Sequence, residues 1–100
     1  MGNLYECLEN KKTCYIEKYK KAYLAFAGGV IDKSPRPSVE RERGYLLALS
    51  FVLIDVFGLT DKEIRAIEEE LCATSNFGEE MDSFSRYHKY REIQNKIEAY

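Results

Sequence analysis

Any chemistry in this chain has few side chains to start from. There is one histidine, His88, and there are three cysteines, Cys7, Cys14 and Cys72. Zinc sites space their cysteines two to four residues apart, and no such pair exists here. Cys7 and Cys14 lie two turns apart on one helical face, too far to share an ion. A nucleophile–base–acid set can be composed from Ser85 or Cys72, His88, and Asp82 or Glu92, but no spacing brings those residues together. Gly28-Gly29 lacks the further glycine and lysine of a phosphate loop, and no G-x-G-x-x-G follows a strand pattern. The chain reads as a non-enzyme that needs no metal and no cofactor.

Charge supplies the more specific candidates. Residues 61–82 hold eight acids against Lys62 and Arg65, a local net charge of −6 in a protein whose total is −2. Glu68, Glu69, Glu70, Glu79, Glu80 and Asp82 are therefore the candidate partner-binding residues, and they call for a partner protein with a basic surface. Such a partner surface could itself be one that binds nucleic acid, with carboxylates standing in for phosphates. A second segment, Lys11, Lys12, Lys18, Lys20 and Lys21 interleaved with Tyr15 and Tyr19, is the alternative, a direct nucleic-acid contact. On a helical wheel those lysines scatter while the tyrosines share the core stripe, which favours the first reading. Tyr87, Tyr90, Ile93, Ile97 and Tyr100 share a face near the end of the sequence, a candidate for docking in cis or across a homodimer. Tyrosine is frequent here, with eight in all, and it suits interfaces because its ring is apolar and its hydroxyl wet.

These residues must be carried by helices. Tyr45–Phe57, YLLALSFVLIDVF, is apolar but for Ser50 and Asp55. A helix apolar on every side is wrapped by other helices or lies in a membrane, and about 20 residues would be needed to span one. The expectation is a central buried helix over about 39–57, capped by Ser38, with a neighbour packed closely on Gly44 and Ala48. Asp55 is the one acid within Tyr45–Phe57.

Before it, Leu4, Leu8, Tyr15, Tyr19, Ala22, Tyr23 and Phe26 fall on one stripe. They predict one helix, or two joined near Asn10–Thr13, ended by Gly28-Gly29. Pro35 and Pro37 mark the loop that follows.

Thr60 and Glu63 form a capping box flanked by Leu59 and Ile64, so a helical hairpin is expected at Gly58. The next helix should bury Ile64, Ile67 and Leu71 and expose Arg65, Glu68, Glu69 and Glu70. The stretch GLTDKEI looks like the capped helix starts of helix–turn–helix domains. The RAIEEEL that follows is acidic where a recognition helix should be basic or amide-rich. In the last segment the apolar stripe shifts face, which predicts a kink or break near Asp82–Ser85.

The whole is expected to be a single all-α domain over residues 1–100, a compact bundle of four or five helices. With 45% hydrophobic and 32% charged residues it has an ordinary globular composition. Unframed cysteines and the absence of a secretory n- and h-region at the amino end point to a cytoplasmic protein without membrane partners. Its expected role is that of a small adaptor, regulator or inhibitor acting by protein–protein contact.

Overall fold

The computed structural model describes residues 4–74 and 83–98, with side-chain surroundings over 9–74 and 87–98. Four helices make up the described chain: α1 (Leu4–Ile31), α2 (Arg36–Asp55), α3 (Asp61–Thr74) and α4 (Ser83–Glu98). The all-α bundle expected from the pattern is what forms.

The central position belongs to α1. It packs against all three other helices, whereas α2 has much less contact with α3 and α4 than with α1. Tyr19, Ala22, Tyr23, Phe26, Ala27 and Val30 place α1 in the core. No break occurs near Asn10–Thr13, and α1 also continues through Gly28-Gly29. Neither glycine takes a left-handed conformation. Gly29 serves close approach instead, since a Cβ there would stand 3.1 Å from the Glu42 carboxylate and 3.6 Å from Val39. The helix ends one turn later, with Lys33 at φ 54. The Ser34 amide reaches the Gly29 carbonyl and the Lys33 amide that of Val30, the paired closure of a Schellman motif.

Pro35, not Ser38, is the N-cap residue before α2, and no side chain caps the helix. Pro37 is tolerated in the first turn because amides there have no intrahelical partner. Arg36 and Glu40 pair at 2.8 Å along the opening turn.

Only one side of α2 is buried. Val39, Leu46, Leu49 and Leu53 face the core at intervals of seven, three and four, the spacing of a single helical stripe. The surface on either flank of that stripe departs from the sequence expectation. Tyr45, Phe51 and Val56 are 54%, 66% and 65% exposed, Leu47 and Ile54 are each 37% exposed, and Asp55 is exposed as well. A Cβ added at Gly44 would meet nothing, so no described element packs on the Gly44–Ala48 face. Near-uniform hydrophobicity marks a helix as wrapped only if every apolar side chain serves this fold, and here a second set does not.

At the end of α2 the chain turns through Gly58, whose φ of +73 a side chain would resist. The capping box then forms as predicted. The Glu63 amide donates to Thr60 Oγ1 at 3.2 Å and the Thr60 amide to Glu63 Oε1 at 3.4 Å. Leu59 and Ile64 on either side are buried. Although the turn is tight, α2 and α3 do not lie face to face. Each rests on α1, and a cleft opens between them.

Two substitutions separate the faces of α2. Leu53→Ala should cost about 2–5 kcal/mol in urea unfolding, and Phe51→Ala should stay within about 0.5 kcal/mol of wild type. Equal losses would place both residues in the core. Lys33→Gly should stabilise by about 1 kcal/mol, because it relieves a left-handed residue bearing a Cβ. A lower midpoint for that variant would mean that Lys33 makes contacts outweighing its backbone cost.

Candidate functional site

The cleft between α2 and α3 has a volume of about 280 Å3 and a carboxyl group at its floor. One wall is Leu47, Ser50 and Ile54 from α2; the other is Asp61, Ile64 and Arg65 from α3. Gln94, Ile97 and Glu98 of α4 close the end, and Tyr19 and Glu68 lie at the bottom.

Glu68 is the unexpected member, since the sequence reading placed it on the surface with Glu69 and Glu70. It is only 4% exposed, while its two neighbours are exposed. The cue was present in the spacing. Ile64, Glu68 and Cys72 succeed one another at four-residue intervals, so a glutamate stands in the middle of a buried stripe.

A buried carboxylate needs donors. The Tyr19 hydroxyl donates to Glu68 Oε2 at 3.1 Å, and the Gln94 amide nitrogen approaches Oε1 at 3.4 Å. Gln94 also donates to the Tyr90 hydroxyl at 3.2 Å. One turn along, the Tyr23 hydroxyl and the Cys72 thiol meet at 3.2 Å. Two contacts with the same offset of 49 residues require α1 and α3 to run in the same direction.

Burial lifts the Glu68 carboxyl above its ordinary range, and the Tyr19 and Gln94 hydrogen bonds and the Arg65 charge oppose that lift. Burial raises the Tyr19, Tyr23 and Tyr90 hydroxyls and the Cys72 thiol as well. The cluster therefore favours neutral phenols and thiol around a carboxyl that is reluctant to ionise. Gln94 Oε1 is a further acceptor, buried and without a hydrogen-bond partner among the described residues.

The remaining predicted residues are dispersed. Glu79, Glu80, Asp82 and Tyr100 lie outside the described residues. Ile93 is fully buried, Tyr90 and Ile97 pack against the core within the same chain, and Tyr87 is 57% exposed. The Arg43 guanidinium of α2 donates to the Ile97 carbonyl at 2.8 Å, tying down the C-terminal end of α4.

Of the lysines, Lys18 stands over the Tyr15 ring at 5.1 Å and Lys20 approaches Glu17 at 3.4 Å. Tyr15 and Tyr19 turn toward the core, which leaves the basic segment without exposed rings on which bases could stack.

His88 is exposed beside Tyr87, Cys14 is exposed and Cys72 is buried. No group of three metal-ligating side chains occurs among the described residues. Nor is any described helix long and apolar enough to cross a membrane.

A second cleft, about 450 Å3, lies between the α1–α2 loop and α4. Lys33, Arg36, Glu92 and Lys96 rim it, all of them exposed, so it has no buried titratable group.

The raised Glu68 carboxyl has a consequence for stability. The folded chain holds a proton that the unfolded chain releases near the ordinary value of 4.5. Raising the pH through that window and on through the folded midpoint therefore weakens the fold. Glu68→Gln can still accept from Tyr19 and has no such dependence. Its melting temperature should gain on wild type as pH rises from about 4 to about 7. A constant difference across that range would mean that Glu68 ionises normally.

Comparison with protein-family models, with curated proteins and with solved structures finds no match to this chain.

Proposed function

We propose that this protein is a binding regulator that captures a basic, amphipathic helix of a partner protein. The observation carrying this reading is one flank of α2, where Leu47, Phe51 and Ile54, at intervals of four and three, form an exposed apolar stripe. Contiguous apolar surface beyond a few hundred Å2 is rare on monomers and usually serves association. The stripe runs into the cleft through Leu47 and Ile54, so the apolar surface leads to the Glu68 carboxyl.

Charge selects the partner. Asp55 follows the stripe, Asp61 and Glu98 border the cleft, and Glu69 and Glu70 are exposed on α3 beyond it. Arg65 is the cation on that rim. A helix with an apolar face and lysines or arginines beside it complements this surface, the usual geometry of helix-in-groove recognition. The rim acids should act mainly on the rate of encounter and on its salt dependence, with the apolar stripe supplying most of the affinity. The alternative reading, nucleic-acid binding through Lys11–Lys21, draws less support because its tyrosines are turned inward.

The test uses an 18-residue leucine–lysine amphipathic peptide and its leucine–glutamate counterpart, followed by fluorescence anisotropy. The lysine peptide should bind, and more weakly as salt rises. Phe51→Asp should weaken it about tenfold or more, with the helical circular dichroism unchanged. Equal binding of both peptides, or no effect of Phe51→Asp, would overturn the reading. So would a concentration-dependent dimer in sedimentation that Phe51→Asp dissolves, since the stripe would then belong to a second copy.

A further inference from the structure

We infer that the α2–α3 cleft is a receptor for one basic side chain of the partner, whose cation is held over Glu68. This deepens the proposed function and rests on it.

The argument begins with what the cleft contains. Glu68 is nearly dry, yet its two donors are a phenol at 3.1 Å and an amide at 3.4 Å, both neutral. No cation reaches that carboxylate within ion-pair distance among the described residues, although Arg65 is close enough to influence it. Tyr23 and Cys72 show that a register contact between α1 and α3 can be made without any charge. A glutamine would accept from Tyr19 with its one oxygen but not from Gln94 with its nitrogen, so the two neutral donors call for two acceptor atoms and leave a negative charge unexplained.

The cleft explains it better. Its walls are aliphatic at Leu47, Ile54, Ile64 and Ile97, and Asp61 and Glu98 stand at the rim. That sequence, acids at the mouth, aliphatic walls, then a carboxylate, suits an ammonium or guanidinium on an apolar stem. The stem would cover the walls while the head pairs with Glu68. Gln94 Oε1, buried without a partner, supplies a second acceptor once its amide turns toward the cation. In a site so withdrawn from water the pair is worth more than on the surface. The same burial leaves Glu68 costly when the cleft holds no cation.

The peptides above, together with n-butylammonium and 1-butanol, test the cleft on the full chain. In carbon-detected NMR, millimolar n-butylammonium should shift the Glu68 carboxyl resonance and lower its titration midpoint by about one pH unit or more, with 1-butanol doing neither. Glu68→Gln, checked for an unchanged fold, should weaken the lysine peptide about tenfold and remove the rise in its affinity as pH passes the Glu68 midpoint. Replacing all lysines of the peptide by norleucine should abolish that pH dependence too.

Identical effects of n-butylammonium and 1-butanol, or full affinity in Glu68→Gln, would overturn the inference. If Phe51→Asp alone abolished peptide binding, the docking stripe would stand and the cleft receptor would fall. If Glu68→Gln alone abolished it, the reverse would hold. Binding of n-butylammonium without any Glu68 contribution to peptide affinity would assign the cleft to free amines and overturn the side-chain assignment.

Discussion

Two phenol rings one turn apart on α1, Tyr19 and Tyr23, constrain most of the arrangement around them. Their rings are almost wholly buried, at 3% and 0% exposure. A buried hydroxyl without a partner costs as much as a good hydrogen bond contributes. Both hydroxyls are answered by α3, through Glu68 and Cys72, which are themselves one turn apart. A single register and a single direction satisfy the two together, and a slip of one residue would lose both. Once Glu68 is drawn inside, its other oxygen needs a donor, and Gln94 brings α4 alongside. The chain of dependence ends at Arg43, which binds the last turn of α4 back to α2.

This arrangement accounts for the two-sided character of α2. The tyrosines gather α3 and α4 around α1, so α2 is left with α1 as its main neighbour. One stripe of leucines is enough for that contact. Of the remaining apolar side chains on α2, Phe51 is largely exposed, and Leu47 and Ile54 line the cleft that leads down to the carboxylate required by the tyrosines. The polar demand of the core and the apolar excess of α2 thus meet along one surface.

Features governed by local sequence were readable in advance. The capping box at Thr60 and Glu63, the stop at Gly58 and the helical class all follow from neighbours within a few residues. Gly28-Gly29 misled because a glycine pair serves a left-handed cap and a close helix approach equally well, and only the position of Glu42 decides between them. Ser38 misled because Pro35 and Pro37 both suit the start of a helix and drew the boundary earlier. The central role of Tyr45–Phe57 was inferred from composition, which records how apolar a segment is but not which of its sides finds a neighbour. Glu68 was legible in principle. Its four-residue spacing from Ile64 and Cys72 was outweighed by its place in a run of three glutamates, where charge suggests solvent.

The parallel alignment of α1 with α3 bears on the order in which the structure assembles. The α1–α2 contacts close across a short loop, whereas each tyrosine contact with α3 joins residues 49 apart. Loop closure costs less entropy for the nearer contacts than for the tyrosine contacts with α3. On a ribosome α1 and α2 would emerge with the Tyr19 and Tyr23 hydroxyls still facing water, at no desolvation cost. The penalty for burying them falls due only when α3 emerges, carrying the groups that answer them.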